Sequence, residues 1–130
     1  MSRADKPKQL LEFIERKGTS GRRSLLELSA ARLEGIVPPE RRYICTGEQY
    51  RSAIREKLRS FTDDRILGEP VGRDTVNAVG FAAAVFQKLD KDAIFAVLTA
   101  DHLIEPDSTF ARCVDRSEER RVGKECRSRW

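Results

Sequence analysis

The spacing of apolar positions changes along the chain, and each spacing predicts a different element. Residues 15–21 are polar and glycine-containing and indicate a loop. Ser24, followed three residues later by Glu27, forms a capping box, and the apolar residues after it approximate one helical stripe. Gly35 and Pro38 predict the end of this helix.

The next elements alternate between strand and helix. Residues 42–46 are rich in β-prone side chains and predict a short strand. Thr46 and Gln49 form a second candidate capping box, and the helix that follows is amphipathic. Its apolar residues recur at every fourth position: Tyr50, Ile54 and Leu58. Residues 65–69 predict the second strand of the series.

From residue 75 onward the apolar positions become nearly continuous. Residues 75–89 are apolar almost all round, which predicts a helix that is buried on several sides. Residues 93–98 form an unbroken apolar run, typical of a central parallel strand covered on both faces. Asp107 or Ser108 is expected to cap a last helix.

The order of elements after Ser24 is therefore helix, strand, helix, strand, helix, strand, helix. This alternation predicts an α/β fold with a mainly parallel sheet and right-handed crossovers. The expected architecture has three layers, α/β/α. Neither an internal repeat nor a linker between domains interrupts the pattern.

Composition narrows the class of protein. The chain has 130 residues, of which 39% are hydrophobic and 35% charged, as expected for one soluble globular domain. No apolar run approaches the ~20 residues of a membrane span, and no signal-peptide core follows Met1. The three cysteines are widely spaced, which indicates neither a disulfide framework nor a zinc site. We therefore expect a cytoplasmic protein that does not bind a membrane.

The net charge of +4 comes mostly from one end of the chain. Residues 116–130 carry six basic and three acidic side chains and show no apolar period. We interpret them as a disordered, non-native-looking tail that follows a domain at residues 1–115. The basic residues are interleaved with acids and lack an aromatic platform, so we do not expect nucleic acid as a partner.

A glycine-rich turn stands where the second strand meets the apolar helix. It comprises residues 68–75, Gly68-Glu69-Pro70-Val71-Gly72-Arg73-Asp74-Thr75. Glycine permits close backbone approaches, and an arginine offers a planar cation suited to phosphate or carboxylate. In open parallel sheets, ligands bind beyond the carboxyl ends of the strands, where helix N-termini can receive phosphate. The alternative interpretation is a tight turn with a surface arginine.

Asp101-His102 follows the apolar run of residues 93–98, so it is expected at the same edge of the sheet. A carboxylate in that position suggests Mg²⁺, which takes oxygen ligands and often bridges carboxylates to substrate phosphates. The alternative for Asp101 is a turn or helix-capping residue. His102 is the only histidine, and we interpret it as a structural residue rather than a catalytic base.

Three ordered motifs carry a resemblance to a known family. They are Pro7-Lys8-Gln9-Leu10, the loop of residues 68–75, and Leu98-Thr99-Ala100-Asp101-His102. In this order they resemble mannose-1-phosphate guanylyltransferases, the GDP-mannose pyrophosphorylases of the sugar-nucleotidyltransferase superfamily. The resemblance extends over about residues 1–115.

The resemblance implies a Rossmann-like domain that binds GTP and mannose 1-phosphate. The sugar phosphate attacks the α-phosphorus of GTP, and pyrophosphate leaves with the help of Mg²⁺. By position, Lys8 resembles a phosphate-contacting lysine, and Asp101 resembles the magnesium-binding aspartate. The residues that resemble the loop around the nucleotide base are Glu69, Pro70, Gly72, Arg73, Asp74 and Thr75.

The chain also departs from the family pattern. The family opens with a strand and a glycine-rich loop of the type GxGTRLWPxSR, of which only residues 1–3 resemble a remnant, with Arg3 in place of a catalytic arginine. Asp74 stands where asparagine is usual, and Asn77 stands where proline is usual. We therefore expect an N- and C-terminally truncated fragment that is itself inactive or nearly so.

Two alternatives remain open from the sequence. The parent enzyme could use another nucleoside triphosphate or another sugar 1-phosphate. The chain could instead be a nucleotide-binding module without catalytic activity. Assembly of the full-length parent into a homo-oligomer is also left open.

Overall fold

The computed structural model describes residues 10–15, 21–72 and 74–122, in which strands and helices follow each other closely. Within these ranges the elements, in chain order, are β1 (Glu12–Glu15), β2 (Arg22–Ser24), α1 (Leu25–Ala31), β3 (Ile44–Gly47), α2 (Arg51–Lys57), β4 (Ile66–Glu69), α3 (Thr75–Leu89) and α4 (Asp107–Val122). Short helical turns connect several of them, at Pro39–Arg41, Glu48–Tyr50 and Asp63–Arg65.

β3 and β4 form the parallel part of the fold. Their register pairs Ile44 with Ile66 and Gly47 with Glu69. α2 lies between them in the sequence, as a crossover between parallel strands requires. The predicted α/β class with a parallel sheet is thereby confirmed. Each strand begins within about two residues of its predicted start, because short strands are well marked by β-prone side chains.

An antiparallel hairpin precedes α1, and the sequence did not predict it. β1 pairs with β2 so that Glu12 lies opposite Ser24 and Glu15 lies opposite Arg22. The loop predicted from Glu15 is therefore wrong at its first residue, which belongs to the β1 ladder. The strands have four and three residues, too few for an alternation of apolar and polar positions to show in the sequence. Gly21 enters β2 with a φ of 98°, a left-handed conformation that favours glycine.

α1 begins with the predicted capping box. The Ser24 hydroxyl accepts a hydrogen bond from the Glu27 N–H at 3.3 Å, and the Glu27 carboxylate accepts one from the Ser24 N–H at 2.7 Å. Burial raises the pKa of Glu27, but the hydrogen bonds from Ser24 outweigh it and leave this pKa below its usual value. The helix ends at Ala31, and turns then continue to Gly35, whose φ is 78°.

The hydrophobic core forms where α2 lies against the parallel strands. Its buried cluster consists of Leu10, Ile54, Phe61 and Ile66. Ile54 and Ile66 are each only 2% exposed, which makes them the centre of this cluster. Tyr50 and Leu58 pack against it, so the apolar face predicted for α2 is confirmed.

The capping box predicted at Thr46 is wrong. Thr46 lies opposite Gly68 in the β3–β4 ladder, so its backbone continues the strand. The helical turn starts after Gly47 without a side-chain cap, and α2 begins only at Arg51. Strand pairing therefore overrides the local capping signal at this position.

α3 and the apolar run after it are more exposed than the sequence predicted. α3 has the expected bounds, yet Ala82 is its only buried residue, and Val76 is 81% exposed. Residues 93–98 form no hydrogen-bonded strand, and Ile94 is 65% exposed. The predicted central strand is wrong because such a strand needs sheet neighbours, and within the described ranges β3 and β4 pair only with each other.

α4 runs from Asp107 to Val122, so the two residues predicted as its cap, Asp107 and Ser108, lie within its first turn rather than before it. It crosses the predicted domain boundary at residue 115, so the backbone of residues 116–122 is helical. Across the part of the chain that the structure describes, no helix combines the length and the apolar character needed to cross a membrane.

Replacing Ser24 by alanine is expected to destabilise the protein, because the change removes the hydroxyl half of the capping box. We expect the free energy of unfolding to fall by about 1 kcal/mol, the usual effect of losing such a cap. Urea denaturation followed by circular dichroism measures this change. Since folding lowers the pKa of Glu27 from 4.5, the difference from wild type should shrink as the pH falls below 4.5.

Ser52→Ala, on the exposed side of α2, is the matched control. We expect it to change the free energy of unfolding by less than about 0.5 kcal/mol. An equal loss in both serine variants would contradict a specific contribution of the cap.

Candidate functional site

The candidate site lies where β4 ends and α3 begins. β4 ends at the half-buried Glu69, and the chain then passes through exposed residues 70–72 before it reaches Asp74. Val71, in the middle of this stretch, is 67% exposed. The loop of residues 68–75 therefore stands at the carboxyl end of the parallel pair, where the sequence placed it, and it opens to solvent.

Asp74 is the N-cap residue of α3, but its side chain does not cap the helix. The backbone of Asp74 is extended, with φ −65° and ψ 161°, and its carbonyl accepts a hydrogen bond from Asn77 at 2.9 Å. Its carboxylate makes no capping hydrogen bond, and Asp74 is exposed. Glu69 and Asp74 thus place one carboxylate at each end of the exposed stretch.

Contacts along one side of α3 fix it against β3 and the apolar run. The Cys45 thiol lies 3.8 Å from the carbonyl oxygen of Ala78. The rings of Tyr43 and Phe86 meet edge to face, with centroids 4.8 Å apart. Phe86 also contacts Phe95, at a centroid distance of 5.2 Å. These contacts orient α3 relative to the strand pair, with Cys45 at its first turn and the aromatic rings nearer its end.

A forked ion pair lies on Gly68, at the start of the loop. Arg51 Nε and Nη2 donate to the two carboxylate oxygens of Glu48 at 2.7 and 2.9 Å, and Arg51 Nη1 donates to the carbonyl of Asp63 at 2.9 Å. The hydrogen bonds from Arg51 hold the pKa of Glu48 below its usual value. The Glu48 carboxylate occupies the space that a Cβ on Gly68 would need, so only glycine permits this approach.

Sequence reasoning missed Glu48 and Arg51 as residues of the site. Their spacing of three residues is a signal for an ion pair on one helical face. That signal does not reveal what the pair touches. Only the register of β3 and β4 brings Glu48 over Gly68.

Asp101 and His102 form an exposed turn after the apolar run. His102 Nε2 lies 3.8 Å from an oxygen of Asp101, and the two side chains are 66% and 59% exposed, respectively. The other ring nitrogen of His102 is 2.8 Å from the hydroxyl oxygen of Thr99. This hydrogen bond closes the turn, which agrees with the structural role expected for His102.

A buried arginine attaches this turn to the rest of the fold. Arg32, just after α1, has a side chain that is only 3% exposed, and its Nε lies 3.9 Å from a carboxylate oxygen of Asp107. Its Nη2 donates to the carbonyl oxygen of His102 at 3.2 Å. The guanidinium also lies 5.3 Å from the ring centroid of Phe110. Arg32 therefore joins α1 to both the turn and the start of α4.

Asp101 fits the way in which Mg²⁺ is bound during phosphoryl transfer. Within the described ranges, no group of three or more histidine, cysteine, aspartate or glutamate side chains could hold a metal ion. Mg²⁺ commonly uses one or two carboxylates together with water and substrate phosphates, and it needs no such cage. The Asp101 carboxylate is more than half exposed and open to that kind of complex. Its role as a magnesium ligand stays a prediction.

The predicted site residues fall into two separate groups. The first follows the chain from β4 into α3 and contains Glu69, Pro70, Gly72, Asp74 and Thr75. The second is Asp101, and among the described residues no hydrogen bond or ion pair joins it to the first. α3 connects the two groups through the contact of Phe86 with Phe95. Arg3, Lys8 and Arg73 lie outside the described residues.

Comparison with curated proteins finds several relatives that carry the same name. The chain is 35% identical over 112 residues to a mannose-1-phosphate guanylyltransferase of Escherichia coli, a match that covers 85% of this chain and 22% of the relative. Over these residues the chain is a homologue of the mannose-1-phosphate guanylyltransferases. The enzyme RfbM of Salmonella typhimurium is 33% identical over 123 residues, with 92% of this chain and 24% of the relative covered. No family model matches the chain.

The resemblance to guanylyltransferases is thereby confirmed over most of the chain. A further relative of the same name, from Sinorhizobium fredii, is 33% identical over 117 residues and covers 88% of this chain. The chain spans between 22% and 24% of the length of these relatives. By their names the relatives are enzymes that transfer a guanylyl group.

Replacing Arg32 by alanine is expected to destabilise the protein and loosen the turn at Asp101. The change removes a buried guanidinium that bonds the carbonyl of His102 and packs on Phe110. We expect the free energy of unfolding to fall by about 2 kcal/mol, as for the loss of a hydrogen bond to a charged group. Urea denaturation measures the global effect, and hydrogen exchange of residues 99–107 measures the local one.

Arg41→Ala provides the control, because Arg41 is exposed and lies in a short turn before β3. Its effect should stay within about 0.5 kcal/mol. If both arginine variants lost the same stability, or if exchange in residues 99–107 were unchanged in Arg32→Ala, Arg32 would not be the anchor of the turn.

Proposed function

We propose that the chain contributes the nucleotide-binding part of a cytoplasmic enzyme that converts GTP and mannose 1-phosphate into GDP-mannose and pyrophosphate. The observation that carries this proposal is the similarity to mannose-1-phosphate guanylyltransferases over 85% to 92% of the chain. The position of residues 68–75 at the carboxyl end of β4 supports it, because parallel sheets bind nucleotides at that edge.

The loop suits a nucleotide base better than it suits a phosphate. Glu69 and Asp74 are acidic, and a carboxylate repels a phosphate group while it accepts hydrogen bonds from N–H donors. Guanine presents two adjacent donors, N1–H and the N2 amino group, which one carboxylate can accept together. Adenine has an acceptor at N1, so it cannot make that paired contact. We therefore assign selection of guanine to these two acidic residues.

The other loop residues are proposed to shape this base site. They are Pro70, Gly72, Arg73 and Thr75. Pro70 fixes its own φ and favours an extended Glu69, which directs the chain out of β4. The helix N-terminus at Thr75 carries partial positive charge, which favours the nearby carboxylate of Asp74.

Asp101 is proposed to hold Mg²⁺ together with the phosphates of GTP. Mg²⁺ at this position would supply neutralisation of the charge that develops as pyrophosphate leaves. Lys8 and Arg3 are the proposed cationic residues at the same phosphates. In-line displacement at phosphorus depends on positioning and charge neutralisation more than on a strong protein base, so His102 is not needed for proton transfer.

We further propose that the 130-residue chain by itself turns over slowly or not at all. Its sequence contains no glycine-rich stretch of the GTRLWP type, which holds the triphosphate in the family that it resembles. Recognition of the base through Glu69 and Asp74 does not require that stretch. Binding and turnover are therefore expected to separate in this chain.

Isothermal titration of the 130-residue chain with GTP and with ATP tests the base site. We expect the wild type to bind GTP more tightly than ATP. Glu69→Gln keeps the shape of the side chain but removes its charge, and it should weaken GTP binding by about tenfold, as expected for one charge-assisted hydrogen bond. The binding of ATP should change little.

Glu56→Gln, at an exposed position on α2, is the matched control and should leave the affinity for both nucleotides unchanged. Equal affinities for GTP and ATP in the wild type would favour a different nucleotide. If Glu69→Gln leaves the affinity for GTP unchanged, Glu69 does not belong to the proposed site.

Turnover is tested by measuring pyrophosphate release from GTP and mannose 1-phosphate in the presence of Mg²⁺. We expect the purified chain to release no more pyrophosphate than a sample without protein, even where it binds GTP. Robust magnesium-dependent release would refute the proposal that the chain lacks an essential phosphate-binding loop. Release of pyrophosphate from ATP, or with another sugar phosphate, would replace GTP or mannose 1-phosphate as the proposed substrate.

A further inference from the structure

We infer that Glu48 and Arg51 are positioning residues for nucleotide selectivity: their ion pair holds the backbone of Gly68, so that Glu69 is presented to the base. The identity of the nucleotide rests on the proposed function above. The contacts that carry the inference are those of the ion pair itself.

The pair lies at the same edge of the strands as the base site. In the β3–β4 register, Thr46 lies opposite Gly68 and Gly47 lies opposite Glu69. Glu48 is the first residue after β3, so its side chain starts next to the point where β4 passes into the loop. Within the described ranges β3 and β4 pair only with each other, so no other strand separates the Glu48–Arg51 ion pair from Gly68.

Each of the three guanidinium nitrogens of Arg51 donates a hydrogen bond to a protein partner. Two of its nitrogens donate to the Glu48 carboxylate, and the third donates to the carbonyl oxygen of Asp63, at distances of 2.7 to 2.9 Å. Its side chain is 27% exposed. This planar fork fixes the orientation of the Glu48 carboxylate. We therefore assign Arg51 to the support of Glu48 and Gly68 rather than to contact with the ligand.

The contact with Gly68 transmits this geometry to the loop. The carboxylate of Glu48 fills the position of the missing Cβ, and Arg51 Nη2 would lie 2.8 Å from such a Cβ. The backbone of Gly68 is therefore packed directly against a charged group whose own orientation is fixed by the fork. If the fork opens, the residue before Glu69 loses the group that covers it.

Arg51→Lys tests the inference, because lysine keeps the positive charge but cannot form the planar fork. We expect the ratio of GTP affinity to ATP affinity, measured by titration calorimetry, to fall about fivefold, the effect of about 1 kcal/mol. We also expect faster hydrogen exchange in residues 66–72. A general loss of stability would weaken the binding of both nucleotides by the same factor and would leave the ratio of their affinities unchanged.

Arg55→Lys is the matched control. Arg55 is on the same helix and pairs with the side chain of Asp63, but it makes no contact with Gly68. We expect it to change neither the affinity ratio nor the exchange of residues 66–72. An equal response of the two lysine variants would overturn the inference.

A double-mutant cycle adds a readout that depends on the contact itself. Gly68→Ala displaces the Glu48 carboxylate, whereas Glu48→Ala removes it, so both changes should lower the affinity ratio through the same lost contact. The double variant is then expected to match the more affected single variant. Additive losses would show that Gly68 and Glu48 act separately and would overturn the inference.

The two proposals fail in different ways. If the wild type binds neither nucleotide, the proposed function and the selectivity role both fail, and the exchange of residues 66–72 in Arg51→Lys and Arg55→Lys then shows only whether the ion pair holds the backbone of Gly68. If the wild type prefers GTP but Arg51→Lys keeps the full preference, the proposed function stands and the positioning role is refuted.

Discussion

The parallel pairing of β3 with β4 is the constraint on which the rest of the structure depends. It brings Ile66 into one buried cluster with Ile54 of α2, each of them 2% exposed. The same register brings Gly68 under Glu48 and places Glu69 at the end of the pair. A slip by one residue would turn Ile66 out of the core and would move Gly68 away from the carboxylate. One register therefore fixes both the burial of the core and the geometry of the candidate site.

α3 supplies the other half of the site under a weaker constraint. Its contacts with β3 and the apolar run lie along one side, through Cys45, Tyr43 and Phe95. Its sequence pattern is that of a helix with partners on several sides, but Ala82 is its only buried residue. The placement of α3 thus depends on a few aromatic and polar contacts rather than on burial. Arg32 holds the turn at Asp101 in place, because its buried guanidinium contacts both that turn and α4.

The sequence predicted the features that depend on near neighbours along the chain. The Ser24–Glu27 capping box, the apolar face of α2 and the bounds of α3 are of this kind, because spacing within one or two turns determines them. The strand predicted at residues 93–98 failed because a strand needs a partner, and partners are remote in sequence. In the candidate site, the position of residues 68–75 between β4 and α3 was predicted from the glycines of this segment. The ion pair beneath it was missed, since its contact with Gly68 exists only after β3 and β4 have paired.

The electrostatics of the loop follow from the same pairing. A carboxylate packed directly on Gly68 would add a third negative charge to a site that already contains Glu69 and Asp74. Its charge is compensated by Arg51, which binds both of its oxygens and lowers the pKa of Glu48. The pair can therefore support the backbone without adding an uncompensated negative charge beside Glu69 and Asp74. Compensation at Glu48 is thus a condition for the proposed binding of a negatively charged nucleotide beside an acidic loop.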